Sequence, residues 1–292
     1  MKPPAFDYHA PATLDEALTL ASQLGPDAKF IAGGQSLMPM LNFRLLRPSH
    51  LIDLNGIAVL AYLRVEAGEL QIGAMTRHRE VELSPIVREG WPLISECMPF
   101  VAHVQIRNRG TLGGSISHAD PAAELPAVMT ALEAKFVLQS SRATRTVTAN
   151  DFFVGTLTTA AEPEELLTEI RVPALPQSTG WAFDELSRRH GDFALAGAAA
   201  LVLLTPQGRI EWARLAFTGL GERPARARRT EEALRGQVPT EDIVRAAAEH
   251  SISDLAPESD LHASADYRRD IAKVIARRTL LRAIERSRAA LQ

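Results

Sequence analysis

The chain has 292 residues, 46% of them apolar and 23% charged, with a formal net charge of −3. That composition is ordinary for a folded globular protein; it excludes disorder and fibre and gives no electrostatic drive toward nucleic acid. The single cysteine, Cys97, excludes an internal disulfide and an iron–sulfur cluster, which takes about four thiolates, and reads as a small buried apolar residue.

In chain order, Thr13 and Glu16 form a capping box that predicts a helix ending near Gly25-Pro26. Residues 29–32 read as a short strand running into Gly33-Gly34, and residues 51–54 as another that ends at the turn signal Asn55-Gly56. Together they make a small α/β unit over residues 1–57. Residues 58–176 change to an α+β pattern: strands at 62–65, 69–73, 135–138 and 145–147 in an at least partly antiparallel sheet, with helices at 79–87 and 122–133. Pro173 and Pro176 mark a boundary. Residues 177–292 make a smaller unit, with strands at 181–186, 198–205 and 211–217 and helices at 231–234, 241–249 and 266–288. The last helix carries Ile271, Val274, Ile275, Leu280 and Leu281 near one face, which suits docking rather than a membrane anchor. No stretch approaches the roughly 20 apolar residues of a span. Met1-Lys2-Pro3-Pro4 is not followed by a signal-peptide core, so the expected location is the cytoplasm.

Two glycine-rich segments carry the chemistry. In Phe30-Ile31-Ala32-Gly33-Gly34-Gln35-Ser36-Leu37 the paired glycines permit positive φ and close backbone approach. Successive N–H groups in such a turn can form a nest for a phosphate, with Ser36 as a further donor; the same residues also suit a plain strand-to-helix turn. The second segment runs Gln105-Ile106-Arg107-Asn108-Arg109-Gly110-Thr111-Leu112-Gly113-Gly114-Ser115-Ile116-Ser117-His118-Ala119-Asp120-Pro121-Ala122-Ala123-Glu124-Leu125-Pro126. Its Gly-Gly pair, flanked by hydroxyls, again suits a pyrophosphate. Asp120-Pro121 is a helix-start signal, with Asp as N-cap and Pro at the first helical position. Glu124 is placed either to accept hydrogen bonds from ribose hydroxyls or to favour the helix dipole. His118 has no partner at metal-ligand spacing, and no metal site is expected. Neither loop has Rossmann or Walker spacing. Gly219-Leu220-Gly221, followed by Glu222-Arg223-Pro224, reads as a turn.

The two loops, together with Arg188-Arg189-His190-Gly191-Asp192-Phe193-Ala194 and His262-Ala263-Ser264-Ala265-Asp266-Tyr267-Arg268-Arg269, occur in one chain in this order. The combination resembles the FAD-binding medium subunit of the molybdenum hydroxylases, the carbon monoxide dehydrogenase medium-chain and xanthine dehydrogenase flavin-subunit family, over essentially the whole length. The resemblance implies an α+β fold of the p-cresol methylhydroxylase type, two subdomains clasping an FAD, followed by a small C-terminal α/β domain. It implies that Phe30, Ile31, Ala32, Gly33, Gly34, Gln35, Ser36 and Leu37 contact the pyrophosphate and ribityl region. Thr111, Gly113, Gly114 and Ser115 would complete the phosphate cradle. Val101 and Ala102 would line the flavin pocket. Glu124, with Asp120 as a second candidate, would lie on the adenosine side, and Leu167 near the isoalloxazine ring. Phe193 stands where similar chains often carry a tyrosine over one flavin face; ordinary core packing is its other reading. Asp184 and Glu185 occupy the region where the xanthine dehydrogenase branch has a lysine, so no lysine role carries over.

The family also implies noncovalent FAD, no general base and no covalent nucleophile in this chain. A large molybdopterin subunit would oxidise the substrate, and a small [2Fe–2S] subunit would pass electrons to the flavin for delivery to an external acceptor, in a dimer of heterotrimers. A stand-alone flavin oxidase of the same fold, and a flavin-free scaffold, are the competing readings.

Overall fold

The computed structural model describes residues 1–292, and three main sheets organise it. The capping box forms as the sequence predicts: the Glu16 N–H donates to the Thr13 hydroxyl at 3.2 Å, and the Glu16 carboxylate accepts from the Thr13 N–H at 3.3 Å. The helix that follows, Leu14–Leu24, buries Ala17, Leu18 and Ala21. It packs on a parallel three-stranded sheet of β1 (Asp7–His9), β2 (Ala28–Ile31) and β3 (His50–Asp53), in the order β1-β3-β2. This small unit has its own core, built around Ala17, Leu18, Ile52, Leu54 and Ile57.

The second sheet contains β4 (Leu63–Glu66), β5 (Glu69–Gly73), β6 (Lys135–Gln139) and β7 (Thr144–Thr148). A small ribbon of β8 (Phe153–Gly155) and β9 (Thr158–Thr159) leads into its central strand, β10 (Leu166–Pro173). The order is β4-β5-β10-β6-β7, and every pairing is antiparallel. Residues 79–87 do not make one helix. Pro85 disfavours a helical Ser84, so the chain forms His78–Leu83 and Pro85–Gly90, with the Ser84 hydroxyl capping the second. The helix expected at 122–133 is Glu124–Ala131, and Asp120 is not its N-cap. The Asp120 carboxylate accepts from the Ala122 N–H at 2.9 Å in a local turn, and Ala123 takes the cap position.

The third sheet is antiparallel in the order β11 (Gly180–Ser187), β12 (Ala194–Leu204), β13 (Ile210–Thr218) and β14 (Ala225–Arg226). Every residue of β12 is buried, because both faces of the strand are covered. Ala199 and Leu201 join the core of the second unit, whereas Ala196, Ala198, Ala200 and Val202 pack under the helices Arg228–Leu234, Glu241–Glu249 and Ala265–Ala290. The last helix docks through Ala272, Ile275, Ala276, Leu280, Ala283 and Ile284. Val274, expected on that face, is 48% exposed. The seam is made of small residues because the backbones are close: a Cβ on Gly180 would collide with the Ala283 carbonyl. Glu96, in helix Pro92–Cys97, accepts from Arg282 and Arg286 and ties this helix to the second unit.

Candidate cofactor site

The fold brings the two glycine loops into contact. A Cβ on Gly33 would collide with the Arg109 carbonyl oxygen and lie 2.8 Å from the Gly110 Cα, so only glycine fits this crossing. One residue further, Gly34 has φ +72°, the left-handed region. Gly114 faces the first loop from the other side, with the position of its Cβ 3.7 Å from the Ala32 Cβ.

The backbone donors of the loops have different fates. No N–H from residue 33 to residue 37 donates a hydrogen bond inside the chain. Ser36 stands at the N-cap of helix Leu37–Asn42 but makes no side-chain cap bond, so its hydroxyl is uncommitted as well. In the second loop the donors are spent. Leu112 donates to the Thr76 carbonyl at 3.0 Å and Gly113 to the Ala74 carbonyl at 2.9 Å. Gly114 donates to the Thr111 hydroxyl at 3.1 Å, which caps the helix Leu112–His118. These three N–H groups are therefore committed to the scaffold. Gly113 is glycine for close packing: its Cβ would lie 2.5 Å from the Ala74 Cβ. Ser115, one turn into that helix, is half-buried.

Two residues outside the glycine runs hold the loops together. Asn55 donates to the Ala32 carbonyl at 2.9 Å. Arg77 donates to the Asn55 side chain at 2.6 Å and to the Arg109 carbonyl. Asn55 registers in the sequence only as a turn residue, and nothing local marks Arg77. Arg107, inside the long run, is a clamp. Its guanidinium donates to the carbonyls of Val101 at 3.0 Å and Ala102 at 2.8 Å and is paired with Glu82 at 2.9 Å. It thereby fixes a turn in which Ala102 has φ +47°.

The remaining expected residues spread around this centre. Val101 is buried in the main core. Leu167 is also buried there, at an irregularity of β10 where the neighbouring Thr168 carbonyl accepts from Ala74, the residue beneath Gly113. Phe193 is 62% exposed, which overturns the core-packing reading. It follows a loop whose Gly191, at φ +86°, packs against His103 and Ala102, so the third sheet reaches the 101–103 turn. Phe193 lines an open groove of about 660 Å³ with Pro121, Ala122, Arg188, His262 and Arg268. Glu124 is only 5% exposed, and burial pushes its carboxyl up to about 7. Thr218 accounts for the displaced helix start, because its hydroxyl donates to the carbonyls of Pro121 at 3.0 Å and Ala123 at 2.7 Å.

Residues 4–175 match the family described as FAD binding domain in molybdopterin dehydrogenase, and residues 181–283 match the CO dehydrogenase flavoprotein C-terminal domain. The chain belongs to this flavoprotein family. It is 43% identical over 288 residues to the 6-hydroxypseudooxynicotine dehydrogenase complex subunit alpha of Paenarthrobacter nicotinovorans, covering 99% of this chain and 97% of that protein. It is 44% identical over 289 residues to the caffeine dehydrogenase subunit beta of a Pseudomonas species, covering 98% and 97%. Its fold superposes with a TM-score of 0.95 on a chain of carbon monoxide dehydrogenase from Hydrogenophaga pseudoflava, at 43% identity, covering 98% and 99%.

As a member of the molybdopterin dehydrogenase flavoproteins, the chain is an FAD-binding oxidoreductase subunit. Its residues fit that cofactor: the uncommitted N–H run at 33–37 offers donors to a pyrophosphate, and the glycine crossing is a cradle that a Cβ would fill. No helix of this flavoprotein is long and apolar enough to cross a membrane.

Proposed function

We propose that this chain is the electron-relaying flavin subunit of a multi-subunit molybdenum hydroxylase. A partner bearing the molybdopterin cofactor would oxidise the substrate, and a partner bearing [2Fe–2S] clusters would hand electrons to this chain for an external acceptor, in a dimer of heterotrimers. The relatives named as a complex subunit, a subunit beta and a medium chain support this division of labour. The observation that carries the reading is the run of free backbone donors at 33–37 held against the second loop by Gly33 and the Asn55–Arg77 bridge.

When bound, FAD supplies the redox chemistry, accepting electrons and passing them on. The chain's residues bind and orient it. The N–H groups of residues 33–37 and the Ser36 hydroxyl hold the pyrophosphate, while Thr111, Gly113, Gly114 and Ser115 form the opposite wall. Arg107 fixes the turn at Val101 and Ala102, and Asp120, Glu124, Leu167 and Phe193 complete the surroundings.

The purified chain should be yellow, with FAD released on denaturation, and should co-purify with a large and a small partner. Gly34→Val should lose the flavin while keeping its circular dichroism spectrum. A colourless chain that does not take up added FAD would refute the flavin reading. Turnover of an organic substrate by the isolated chain would refute the relay.

A further inference from the structure

The free donors of the first loop are aimed by what holds their carbonyls from behind. In a planar trans peptide the C=O and the following N–H lie on opposite edges, so a bond that grips one residue's carbonyl also points the next residue's N–H the other way. Every carbonyl from Ile31 to Gly34 is gripped. Ile31 accepts from the Leu54 N–H at 3.0 Å, and Gly34 from the Met38 N–H at 3.1 Å. The two between them take side-chain donors instead. Ala32 accepts from the Asn55 side-chain amide at 2.9 Å, and Gly33 from the Gln35 side-chain amide at 2.9 Å. Side chains therefore aim the N–H groups of Gly33 and Gly34, where the backbone resists rotation least.

Asn55 is itself held in one orientation. Its Nδ2 also donates to the Asp53 carboxylate at 2.5 Å, its backbone N–H donates to the same oxygen at 2.9 Å, and its Oδ1 accepts from Arg77 at 2.6 Å. The groups at Nδ2 are acceptors only and the guanidinium at Oδ1 is a donor only, so a flipped amide would lose all three side-chain bonds. The second Asp53 oxygen accepts from the Tyr8 hydroxyl. Tyr8 lies on β1 and Asp53 ends β3, so the first sheet reaches the loop through Asp53 and Asn55. Gln35 is half-buried, and its side chain closes its bond within the loop.

We propose that Asn55 and Gln35 are positioning residues for the cofactor's pyrophosphate. Asn55 grips the carbonyl edge of the peptide plane that presents the Gly33 N–H, and Gln35 grips the plane that presents the Gly34 N–H. Asp53 acts through Asn55. Gln35 then serves the ligand through the backbone and not through its own amide. Donors fixed before the ligand arrives need not be ordered on binding, so the bonds they make are not offset by lost freedom. The identity of the ligand rests on the cofactor reading above.

The test takes the flavin-stripped full chain and reads FAD affinity, apoprotein melting temperature, and backbone amide exchange with and without FAD. In the wild type FAD should slow exchange at Gly33 and Gly34. Gln35→Ala should raise the FAD Kd about tenfold, the worth of one hydrogen bond to a charged group, and lose the FAD protection at Gly34 while keeping it at Gly33. Asn55→Ala should do the reverse. Asp53→Ala should weaken FAD as Asn55→Ala does and add nothing to it in the double variant, and Asp53→Asn, which keeps an acceptor facing Asn55, should restore affinity. Protection lost across the whole loop together with a lowered melting temperature would make these side chains scaffold and overturn the proposal. Unchanged FAD affinity in Gln35→Ala, whose side chain bonds only inside the loop, overturns it even where Asn55→Ala fails to fold. A wild type that binds FAD without protecting Gly33 and Gly34 overturns it and leaves the flavin reading standing, whereas a wild type that binds no FAD defeats both.

Discussion

Gly33-Gly34 and Gly113-Gly114 share a dipeptide, but their backbone donors have different fates. Around the first pair five consecutive N–H groups donate nothing to the chain; around the second, residues 112–114 donate to Ala74, Thr76 and Thr111. The first loop is a donor surface. The second is a wall, stapled to the 74–78 segment, against which the first is pressed. A glycine pair near a phosphate site can therefore serve the ligand or the backbone, and the hydrogen-bond account of its N–H groups tells which.

The largest effect that tests this contrast is expected at the wall. Gly113→Val drives a branched side chain into Ala74 and should destabilise the apoprotein by about 3 kcal/mol, read by urea unfolding. The same replacement at Gly34 strains a left-handed backbone by about 1–2 kcal/mol but should also lose the flavin, and flavin retained at Gly34→Val would break the comparison.

A similar but conditional effect should come from His78, only 5% exposed beneath Gly110. Burial, with Arg107 and Arg77 nearby, pushes its imidazole down to about 4. The unfolded chain binds that proton more readily. His78 therefore stabilises fully above the unfolded value of 6.5, and about 3 kcal/mol is lost as pH falls from there to about 4. His78→Gln should flatten this acid limb in a Tm against pH series; an unchanged limb would show that the proton goes elsewhere.

The smallest effect belongs to the donor surface. Ser36→Ala should weaken FAD by about 1 kcal/mol, roughly fivefold in Kd, and leave the apoprotein Tm unmoved, because the hydroxyl caps nothing. A drop in apoprotein Tm would mean that Ser36 belongs to the scaffold.

Features set within a few residues were legible in the sequence. The Thr13–Glu16 box, the strand into Gly33 and the Asn55-Gly56 turn all depend on local chemistry, and the long central run carried the resemblance to the flavoprotein family. Features set by distant partners were not. Asp120-Pro121 has the look of a helix start, yet Thr218 holds the carbonyls of Pro121 and Ala123 and moves the start to Glu124. Val274 outranks Ala276 in hydrophobicity, yet the backbone approach at Gly180 selects the small face of the last helix. The Asn55–Arg77–Arg109 bridge joins three segments far apart in the chain, and no periodicity announces it.

The burial of Cys97 gives the molecule a built-in reporter. It is the only thiol, is fully buried at the end of helix Pro92–Cys97, and sits beside Glu96, the residue that receives Arg282 and Arg286 from the last helix. Burial also pushes its pKa well above the ordinary range, so it stays a thiol and resists alkylation while the layers are closed. Its labelling rate therefore clocks how often the C-terminal layer lifts from the middle of the protein, with no engineered probe and no second cysteine to confuse the signal.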